Sequence, residues 1–388
     1  MNKKLNIIDL FSGCGGFGLG AELSGFNTYA AVDIDSDLQS AYKRNFPNTH
    51  VINGDLSLFS KNTWEFILGD NEIDGVIGGP PCQGFSRMGK KLKDDPRNSL
   101  VYHFYRHVDI IRPKFFIMEN VEGILDKDSR ESLFSAIELV SKNYKIIGPI
   151  VIDASNYGAP TIRKRVIVIG YREGYIDKLE SKDLSPPLNK NKIFVKDAIS
   201  DLPSPISQTK KSDDYGWANY PKTINKLLSK YAKKMRKPAP NGLGWDISNN
   251  SLKKKIISGN FDTIHTQPVI ERYSTVRQGH VDEISRFHRL NWSGLCPTLR
   301  AGTGSDKGSF QAARPIHPDE PRVITVREAA RLQGFPDWFT FHNTKWHSFR
   351  MIGNSVSPIV SEYILSIIKI KLSLQHSTER VLNLQESE

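Results

Sequence analysis

The chain has 388 residues, of which 38% are hydrophobic and 24% are charged, and it has only three cysteines. This composition is typical of a soluble globular protein with one large domain or two smaller ones, and it excludes a disulfide-stabilised scaffold. The cysteines show no metal-ligand spacing, so we expect a reducing, cytoplasmic setting and no metal. The N-terminal apolar run is broken by Asp9 and is too short for a signal peptide.

The positive charge is concentrated in the middle of the chain. The net charge of +11 divides into zero over residues 1–170, +9 over 171–289 and +2 over 290–388. A charge run is often only a solvated face, but a whole basic segment beside a neutral one favours a polyanionic partner. Nucleic acid is the first candidate.

The first 170 residues alternate apolar runs with helical patterns. This alternation predicts an α/β fold with a parallel sheet and helices on both faces. Ligands of such sheets bind at the carboxyl ends of the strands, where the unusual residues of this segment occur. The predicted strands are 5–11, 29–35, 50–56, 74–81, 114–121, 144–153 and 164–172, and the predicted helices are 17–26, 36–46, 99–113 and 129–143.

The rest of the chain has a different organisation. Residues 171–290 are rich in Pro, Asn, Ser and Lys, which predicts a separate, irregular domain. An amphipathic helix follows from about 323 and stops at Gly334, and a second helical run covers 359–372. That run includes Lys369 and Lys371, and we expect it to pack as a helix and not to span a membrane. The segment 375–388 is a polar tail that we expect to fray.

The stretch "DLFSGCGGFGLG" (9–20) follows the first strand and opens a helix. Gly13, Gly15 and Gly18 satisfy the G-x-G-x-x-G pattern, which by itself is a weak signal. No Gly-Lys-Ser/Thr follows, so the turn is not a triphosphate-binding loop. Asp33, at the end of the next strand, suits the ribose hydroxyls of either a nicotinamide or an S-adenosylmethionine cofactor.

Two further strand ends carry reactive side chains. In "GGPPCQGFS" (78–86), stiff proline and glycine backbone surrounds Cys82, which is either a presented nucleophile or an ordinary buried thiol. In "MENV" (118–121), Glu119 and Asn120 end an apolar strand and act either as proton-transfer and binding groups or as caps.

The three motifs together, in this order, resemble the bacterial DNA (cytosine-5) methyltransferases of type II restriction–modification systems. Further segments extend the resemblance to most of the chain except about 172–290: "DPRNSL" (95–100), "YGAPTIRKRVIVIG" (157–170), "CPTLRAG" (296–302), "VREAARLQGFPDWF" (326–339) and "GNSVSP" (353–358). One departure is Thr161, which stands where the family usually has Gln before Arg-x-Arg.

The resemblance implies an S-adenosylmethionine-dependent, Rossmann-like mixed sheet with a smaller target-recognition domain. The implied division is a catalytic and cofactor-binding domain at 1–172, a target-recognition domain at 173–322, a return to the catalytic domain at 323–374 and the tail at 375–388. It implies methyl transfer to C5 of a flipped-out cytosine in duplex DNA through a covalent bond between Cys82 and C6. Glu119 would bind the N3 and N4 edge, Asn120 would hold the catalytic loop, Arg165 would contact the O2 side and Arg163 would support the pocket.

The resemblance also assigns binding residues. Phe11 and Ile34 would contact the adenine, Asp33 the ribose and Asp55 the adenine amino group. The full set of cofactor residues is Phe11, Ser12, Gly13, Cys14, Gly15, Gly16, Asp33, Ile34, Asp55, Leu56, Gly79, Pro81, Leu100, Asn354, Ser355 and Val356. The candidate DNA-binding residues are Gln83, Ser86, Arg87, Arg97, Arg277 and Arg300.

Three rival functions remain at this stage. One of them, a catalytically inactive DNA-binding relative, is disfavoured because Cys82, Glu119, Arg163 and Arg165 are all intact. A nicotinamide dehydrogenase would explain the glycine turn but not Cys82, Glu119 and the basic segment together. The tRNA cytosine-5 methyltransferase branch has the same fold, but its Cys-Phe-Thr motif does not occur here, since Cys296 is followed by Pro297. We expect a monomer that acts on double-stranded DNA, with a cognate restriction endonuclease as a genetic partner and no membrane association.

Overall fold

The structure is a computed structural model that describes residues 4–81, 99–187, 191–209, 211–222, 225–302 and 314–385. Its central element is a seven-stranded sheet in the order β3-β2-β1-β4-β5-β7-β6. Strands β1 to β5 run parallel, whereas β7 is antiparallel to both β5 and β6. The sheet is therefore mixed, as the family resemblance implies, and not wholly parallel as the alternation alone predicts. The strands are β1 (Asn6–Leu10), β2 (Asn27–Asp33), β3 (His50–Asn53), β4 (Gly75–Gly78), β5 (Phe115–Val121), β6 (Lys145–Asp153) and β7 (Lys164–Tyr171).

Helices flank this sheet and continue through the rest of the chain. The described helices are α1 (Gly16–Ser24), α2 (Ser36–Asn45), α3 (Lys61–Leu68), α4 (Ser99–Ile111), α5 (Lys127–Ser141), α6 (Val195–Ile199), α7 (Lys230–Met235), α8 (Asp246–Lys253), α9 (Gln267–Thr275), α10 (Val326–Gln333), α11 (Lys345–Asn354) and α12 (Pro358–Gln385). A small second sheet pairs β8 (Ala218–Asn219) with β9 (Ile256–Ile257).

Each face of the large sheet has its own hydrophobic core. Successive strand residues point to opposite faces, so Ile7 and Ile8 of β1 enter different cores. The core that includes Ile8 is covered by α3, α4 and α5. The core that includes Ile7 is covered by α1, α10, α11 and α12 and extends to Val195 and Tyr231 of the middle segment.

All seven predicted strands of the sheet and the four predicted helices between them are present. Helix α3 is missing from the sequence prediction. It is only eight residues long and buries one side chain, Trp64, so its apolar periodicity is weak. The C-terminal helix is longer than predicted, because α12 continues to Gln385 through most of the segment expected to fray.

The C-terminal helices include a stretch, Lys345–Ser373, that is long and apolar enough to cross a membrane by length and composition alone. The sequence argument from Lys369 and Lys371 is therefore not sufficient to exclude a span. In the structure 72% of the most apolar 18-residue segment of this stretch is buried inside the protein. A Cβ on Gly20 of α1 would lie 1.7 Å from Ser361 Oγ, so α1 and α12 are in very close contact. The two helices of this stretch, α11 and the first part of α12, therefore belong to the core of the protein.

Buried ion pairs join α10 to the middle segment. Arg331 Nη1 donates to Ala198 O at 2.9 Å and to Asp201 Oδ1 at 3.2 Å, and its Nε and Nη2 donate to the two carboxylate oxygens of Asp337. Arg327 donates to the carbonyl and the hydroxyl of Ser258. The middle segment is thus connected to the large sheet and the C-terminal helices by polar contacts as well as by a shared core.

Candidate functional site

A cavity of about 700 Å³ opens at the carboxyl ends of β1, β2, β4 and β5. Fifteen of the sixteen residues that the sequence assigned to a cofactor line it, and so do Glu119, Asn120, Arg163 and Arg165. Gly15 is the exception. The lining residues that were not anticipated are Asp9, Phe17, Asp35, Leu38, Gly54, Ser57, Pro80, Val121, Arg350, Met351 and Gly353.

The glycine turn forms one end of the cavity. Phe11 has a φ of 54° and Gly13 a φ of 55°, and Gly15 caps α1 with a φ of 95°. A Cβ on Gly15 would lie 2.5 Å from the ring of Phe46. Gly15 therefore packs against α2 behind the turn, which explains why it does not line the cavity, and its hydrogen side chain is required there.

Asp33 ties the turn to the end of β2. Its Oδ2 accepts a hydrogen bond from Gly13 N at 2.8 Å and its Oδ1 accepts one from Asp35 N at 2.9 Å. Burial raises the pKa of Asp33, and the two N–H donors oppose that shift. Each carboxylate oxygen can accept a second bond, so Asp33 retains acceptor capacity toward a ligand.

Asp55 and Leu56 form a second edge of the cavity. Asp55 Oδ1 accepts a hydrogen bond from Ser57 N at 2.8 Å, and the hydrogen bonds from Ser57 lower the pKa of Asp55. Behind this edge, Leu56 O accepts hydrogen bonds from Arg106 Nη2 and His107 Nε2, both at 2.8 Å.

His107 is a neutral side chain with one defined tautomer. Trp64 Nε1 can only donate, so its 3.0 Å contact requires His107 Nδ1 to accept, and Nε2 then donates to Leu56 O. Burial lowers the pKa of His107 to about 4. His107 therefore holds the Leu56 carbonyl in place without changing charge near neutral pH.

Residues 353–356 cover the start of α1. A Cβ on Gly16 would lie 2.5 Å from Val356 O and 2.9 Å from Ser355 Cβ. Cys14 Sγ lies 3.0 Å from Ser355 Oγ, and burial raises the pKa of Cys14 to about 12. The Cys14 thiol is therefore a packing group and not a thiolate.

Glu119 and Arg165 meet at the other end of the cavity. Arg165 Nε lies 2.9 Å from Glu119 Oε1, without the alignment of a hydrogen bond, and Oε1 is buried with no hydrogen-bond partner among the described residues. A Cβ on Gly79 would lie 3.2 Å from Glu119 Oε2, so a larger residue at 79 would crowd the carboxylate. A buried carboxylate with an unused acceptor, facing a cavity, is suited to a ligand with N–H groups.

Asn120 contacts the segment that leads to Cys82. Its Nδ2 donates to Pro80 O at 3.1 Å, and its Oδ1 accepts from Val121 N at 2.9 Å. Cys82 itself lies outside the described residues, as do Gln83, Ser86, Arg87 and Arg97. The described chain therefore reaches the loop as far as Pro81, which lines the cavity.

Arg163 is completely enclosed and binds backbone from two distant segments. Its Nη1 donates to Leu299 O at 3.3 Å and its Nη2 to Gly353 O at 3.0 Å. Burial lowers the pKa of Arg163 well below its usual range. Arg163 thus joins β7 to two chain segments next to the cavity.

Thr161 has a defined place in this arrangement. Its hydroxyl donates to Cys296 O at 3.1 Å, and Ile162 N donates to the same carbonyl at 2.8 Å. Thr161 is fully buried and pairs with Cys296 as an isolated β-bridge. Its hydroxyl is therefore used to hold the 296–299 segment against β7.

The two remaining candidates for DNA contact, Arg277 and Arg300, are exposed and do not line the cavity. Three charged lining residues were missed by the sequence analysis: Asp9, Asp35 and Arg350. Arg350 forms an ion pair with Asp35 across the mouth of the cavity. Asp9 belongs to the quoted "DLFSG" stretch and could have been found there, whereas nothing in the local sequence marks Arg350.

Comparison with known proteins gives concordant matches over nearly the whole chain. The family model described as C-5 cytosine-specific DNA methylase matches residues 5–369. The Type II methyltransferase M.XorII of Xanthomonas oryzae pv. oryzae is 41% identical over 364 residues, covering 92% of this chain and 82% of that protein. M.DdeI of Desulfomicrobium norvegicum is 31% identical over 435 residues, covering 99% of this chain and 96% of that protein.

Solved structures agree. A crystal structure described as a prophage-encoded DNA modification methyltransferase (E. coli) has a TM-score of 0.85 and 44% identity, and the match covers 95% of this chain and 100% of that one. The S. pombe Dnmt2 methyltransferase has a TM-score of 0.61 at 16% identity, covering 94% of this chain and 98% of that one, and shares the fold.

Proposed function

Because this chain belongs to the C-5 cytosine-specific DNA methylase family, and is a sequence-specific DNA (cytosine-5) methyltransferase that uses S-adenosylmethionine, we propose that it works through a covalent bond between Cys82 and a flipped-out cytosine. One observation supports this most directly. The Glu119–Asn120 end of β5 and the arginines of β7 line the same cavity as the glycine turn. A base and a cofactor bound there would be neighbours.

The chemistry divides between the protein and the cofactor. S-adenosylmethionine supplies, when bound, a methyl group on a positively charged sulfur. Cytosine C5 is a poor nucleophile, and addition of the Cys82 thiolate to C6 makes C5 electron-rich. Glu119 binds the N3 and N4 edge and donates a proton to N3 as the ring becomes anionic. C5 then takes the methyl group, and the bond between that group and the sulfonium sulfur breaks. Loss of the C5 proton to a base, elimination of Cys82 and return of the N3 proton to Glu119 release the product.

The cavity fits the cofactor in size and chemistry. Its volume of about 700 Å³ is typical of small-molecule and cofactor sites. Asp33 and Asp55 offer acceptors for ribose hydroxyls and the adenine amino group, and Ile34 is an apolar side chain that is 68% exposed at the mouth. We propose that Phe11 and Ile34 contact the adenine. Release of S-adenosylhomocysteine then completes the cycle.

Arg165 is proposed to contact the O2 side of the base directly, starting from its ion pair with Glu119. Its guanidinium lies 2.9 Å from the carboxylate and is itself only 16% exposed. The contact between the two side chains is not aligned as a hydrogen bond, so Glu119 Oε1 still has its acceptor capacity. Both side chains can therefore give up this contact for hydrogen bonds to a base. Arg165 would then reach the O2 side while Glu119 takes the N3 and N4 edge.

We propose double-stranded DNA contact by the basic middle segment, whose lysines at 230, 233, 237 and 253–255 are exposed. Phosphate contacts of this kind dominate affinity and make it salt-dependent. We further propose that the enzyme is a cytoplasmic monomer that protects host DNA from a cognate restriction endonuclease.

The test is transfer of labelled methyl from S-adenosylmethionine to unmethylated duplex DNA, followed by bisulfite sequencing. We expect label on cytosine C5 within one short sequence, loss of activity in Cys82→Ala and strong loss in Glu119→Gln. Cys296→Ala is the matched control, because that thiol is buried outside the cavity. Label on tRNA and not on DNA would favour the tRNA branch, and no label on either would refute the proposal.

The covalent step and the flipping have their own readouts. 5-Fluorocytosine has fluorine in place of the C5 hydrogen, so an adduct formed at this base has no C5 proton to lose. In a duplex with this base at the target, the adduct should accumulate as a denaturation-resistant complex. That complex should be absent with Cys82→Ala and present with Cys296→Ala. A fluorescent base analogue at the target position should brighten on binding if the nucleotide leaves the stack. An active enzyme that forms no trapped complex would refute the covalent route.

A further inference from the structure

Asp9 is a charged residue of the cavity that the proposed chemistry leaves unused. It lies near the carboxyl end of β1, between β2 and β4, and is only 1% exposed. It lines the same cavity as Asp33 and Glu119. Its side chain therefore forms part of the cavity wall at the centre of the sheet.

The contacts of Asp9 provide hydrogen bonds but no counter-charge. Its Oδ2 accepts from Gly18 N at 3.1 Å and from Tyr42 Oη at 3.2 Å. Among residues 4–81, 99–187 and the other described ranges, no Lys, Arg or His nitrogen forms an ion pair with its carboxylate. Burial raises the pKa of Asp9 to about 8, against the opposing effect of these hydrogen bonds.

The cations around the cavity are engaged elsewhere. Arg350, on α11, pairs with Asp35, and Arg165, on β7, lies against Glu119. Arg163, also on β7, is bound to backbone carbonyls.

The other titratable groups near Asp9 do not neutralise it. Asp33, on β2, is an acid. Tyr42, on α2, and Cys14, in the turn, both have pKa values raised by burial, so both are neutral. Glu22, on α1, has its pKa raised by burial and accepts a hydrogen bond from Thr28 N. An ionised Asp9 thus has no counter-charge among the residues that the structure describes, and a cationic ligand in the cavity would supply one.

Resting on the proposed use of S-adenosylmethionine, we propose that Asp9 is a charge-sensing residue of the cofactor cavity, protonated when the cavity is empty or holds product and ionised when it holds the cationic methyl donor. S-adenosylmethionine carries one more positive charge than S-adenosylhomocysteine, and both share every other group.

The proposed cycle balances in protons. Binding of the sulfonium cofactor releases the Asp9 proton to solvent. When the methyl group leaves, the sulfonium becomes a neutral thioether, and Asp9 takes a proton back from solvent. The cavity then holds one positive charge fewer, so the ionised form of Asp9 is less favoured with the product than with the cofactor.

The experiment is isothermal titration calorimetry without DNA, near neutral pH, in buffers of different ionisation enthalpy. A group with a pKa of about 8 is mostly protonated at pH 7, so wild-type protein should release up to about 0.9 proton on binding S-adenosylmethionine and much less on binding S-adenosylhomocysteine. Asp9→Asn should abolish the difference and reduce the preference for S-adenosylmethionine by about tenfold or more. Asp70→Asn, an exposed acid, is the matched control and should leave both proton counts unchanged.

A second variant keeps the assignment testable if Asp9→Asn does not fold. Tyr42→Phe removes one hydrogen-bond donor to Asp9 and should raise the pKa of Asp9 further. Proton release on binding S-adenosylmethionine should then persist to higher pH than in wild type. Equal proton release for the two ligands in wild type, or an undiminished difference in Asp9→Asn, would overturn the role of Asp9 alone. Failure of wild-type protein to bind either ligand would overturn the cofactor use as well.

Discussion

Replacing Arg331 by Met tests how α10 stabilises the molecule. Arg331 is fully buried and donates through Nε and Nη2 to Asp337 at 2.5 and 2.6 Å. It also bonds Asp201 and the carbonyl of Ala198. Met fills similar space, so the main effect is loss of the charge and of these bonds.

The size of the effect follows from what remains. Removing one partner of a buried ion pair costs about 3–5 kcal/mol. Asp201 keeps Arg236, at 2.7 Å, whereas Asp337 keeps Tyr220 and a distant Arg327, at 3.9 Å. We therefore expect the free energy of unfolding to fall by about 3 kcal/mol, at the lower end of that range.

The assay is urea unfolding followed by circular dichroism. Lys61→Met is the control, because it breaks an exposed Lys61–Glu65 pair at 3.5 Å and should change stability by less than about 0.5 kcal/mol. Burial raises the pKa of Asp337, but Arg331 outweighs this and lowers it overall. The stabilising effect of Arg331 is therefore present above the unfolded Asp pKa and is lost on acidification, so the deficit of Arg331→Met should shrink in acid. An Arg331→Met protein within about 1 kcal/mol of wild type would refute this reasoning.

Three further predictions concern the site. Gly16→Ala should weaken S-adenosylmethionine binding about tenfold or more, because the new Cβ would lie 2.5 Å from Val356 O. Calorimetry measures this affinity, and an unchanged value would show that the turn adapts to the larger residue. Trp64→Phe should lower the free energy of unfolding by about 2 kcal/mol in urea titrations, because it leaves the buried Nδ1 of His107 without its donor; a change near zero would mean that His107 finds another partner. Asp9→Asn should gain thermal stability relative to wild type between about pH 5 and pH 8. Because its pKa is raised in the folded state, Asp9 contributes fully to stability only below the unfolded Asp pKa, and that contribution is lost as pH rises through about 8. Asn does not titrate, so the difference between the variant and wild type should depend on pH. A pH-independent difference in scanning fluorimetry would contradict the shift.

The sequence was sufficient where short stretches carry the information. Strands buried on both faces appear as apolar runs, so β1 to β7 could be located without any knowledge of what packs on them. Strand ends rich in glycine, proline and acids could be grouped, because parallel strands bring their carboxyl ends to one edge. That argument brought Asp33, Asp55 and Glu119 together before their distances were known.

Local sequence was not sufficient where a residue's role depends on distant neighbours. Helix α3 has a single buried side chain, and its pairing of Trp64 with His107 joins positions 43 residues apart. Arg163 was expected to support the pocket, but its partners, Leu299 O and Gly353 O, could not be named from a motif.

The sequence by itself determined the seven strands, the mixed α/β sheet and the family, because apolar periodicity and motif order are local properties of the chain. Only the tertiary structure decided which charges are paired. Asp9 has the same side chain as the exposed Asp70, and the difference lies in burial and in the absence of a described cation beside it. Protonation and ion pairing depend on the surroundings in space, and residues far apart in the chain create those surroundings.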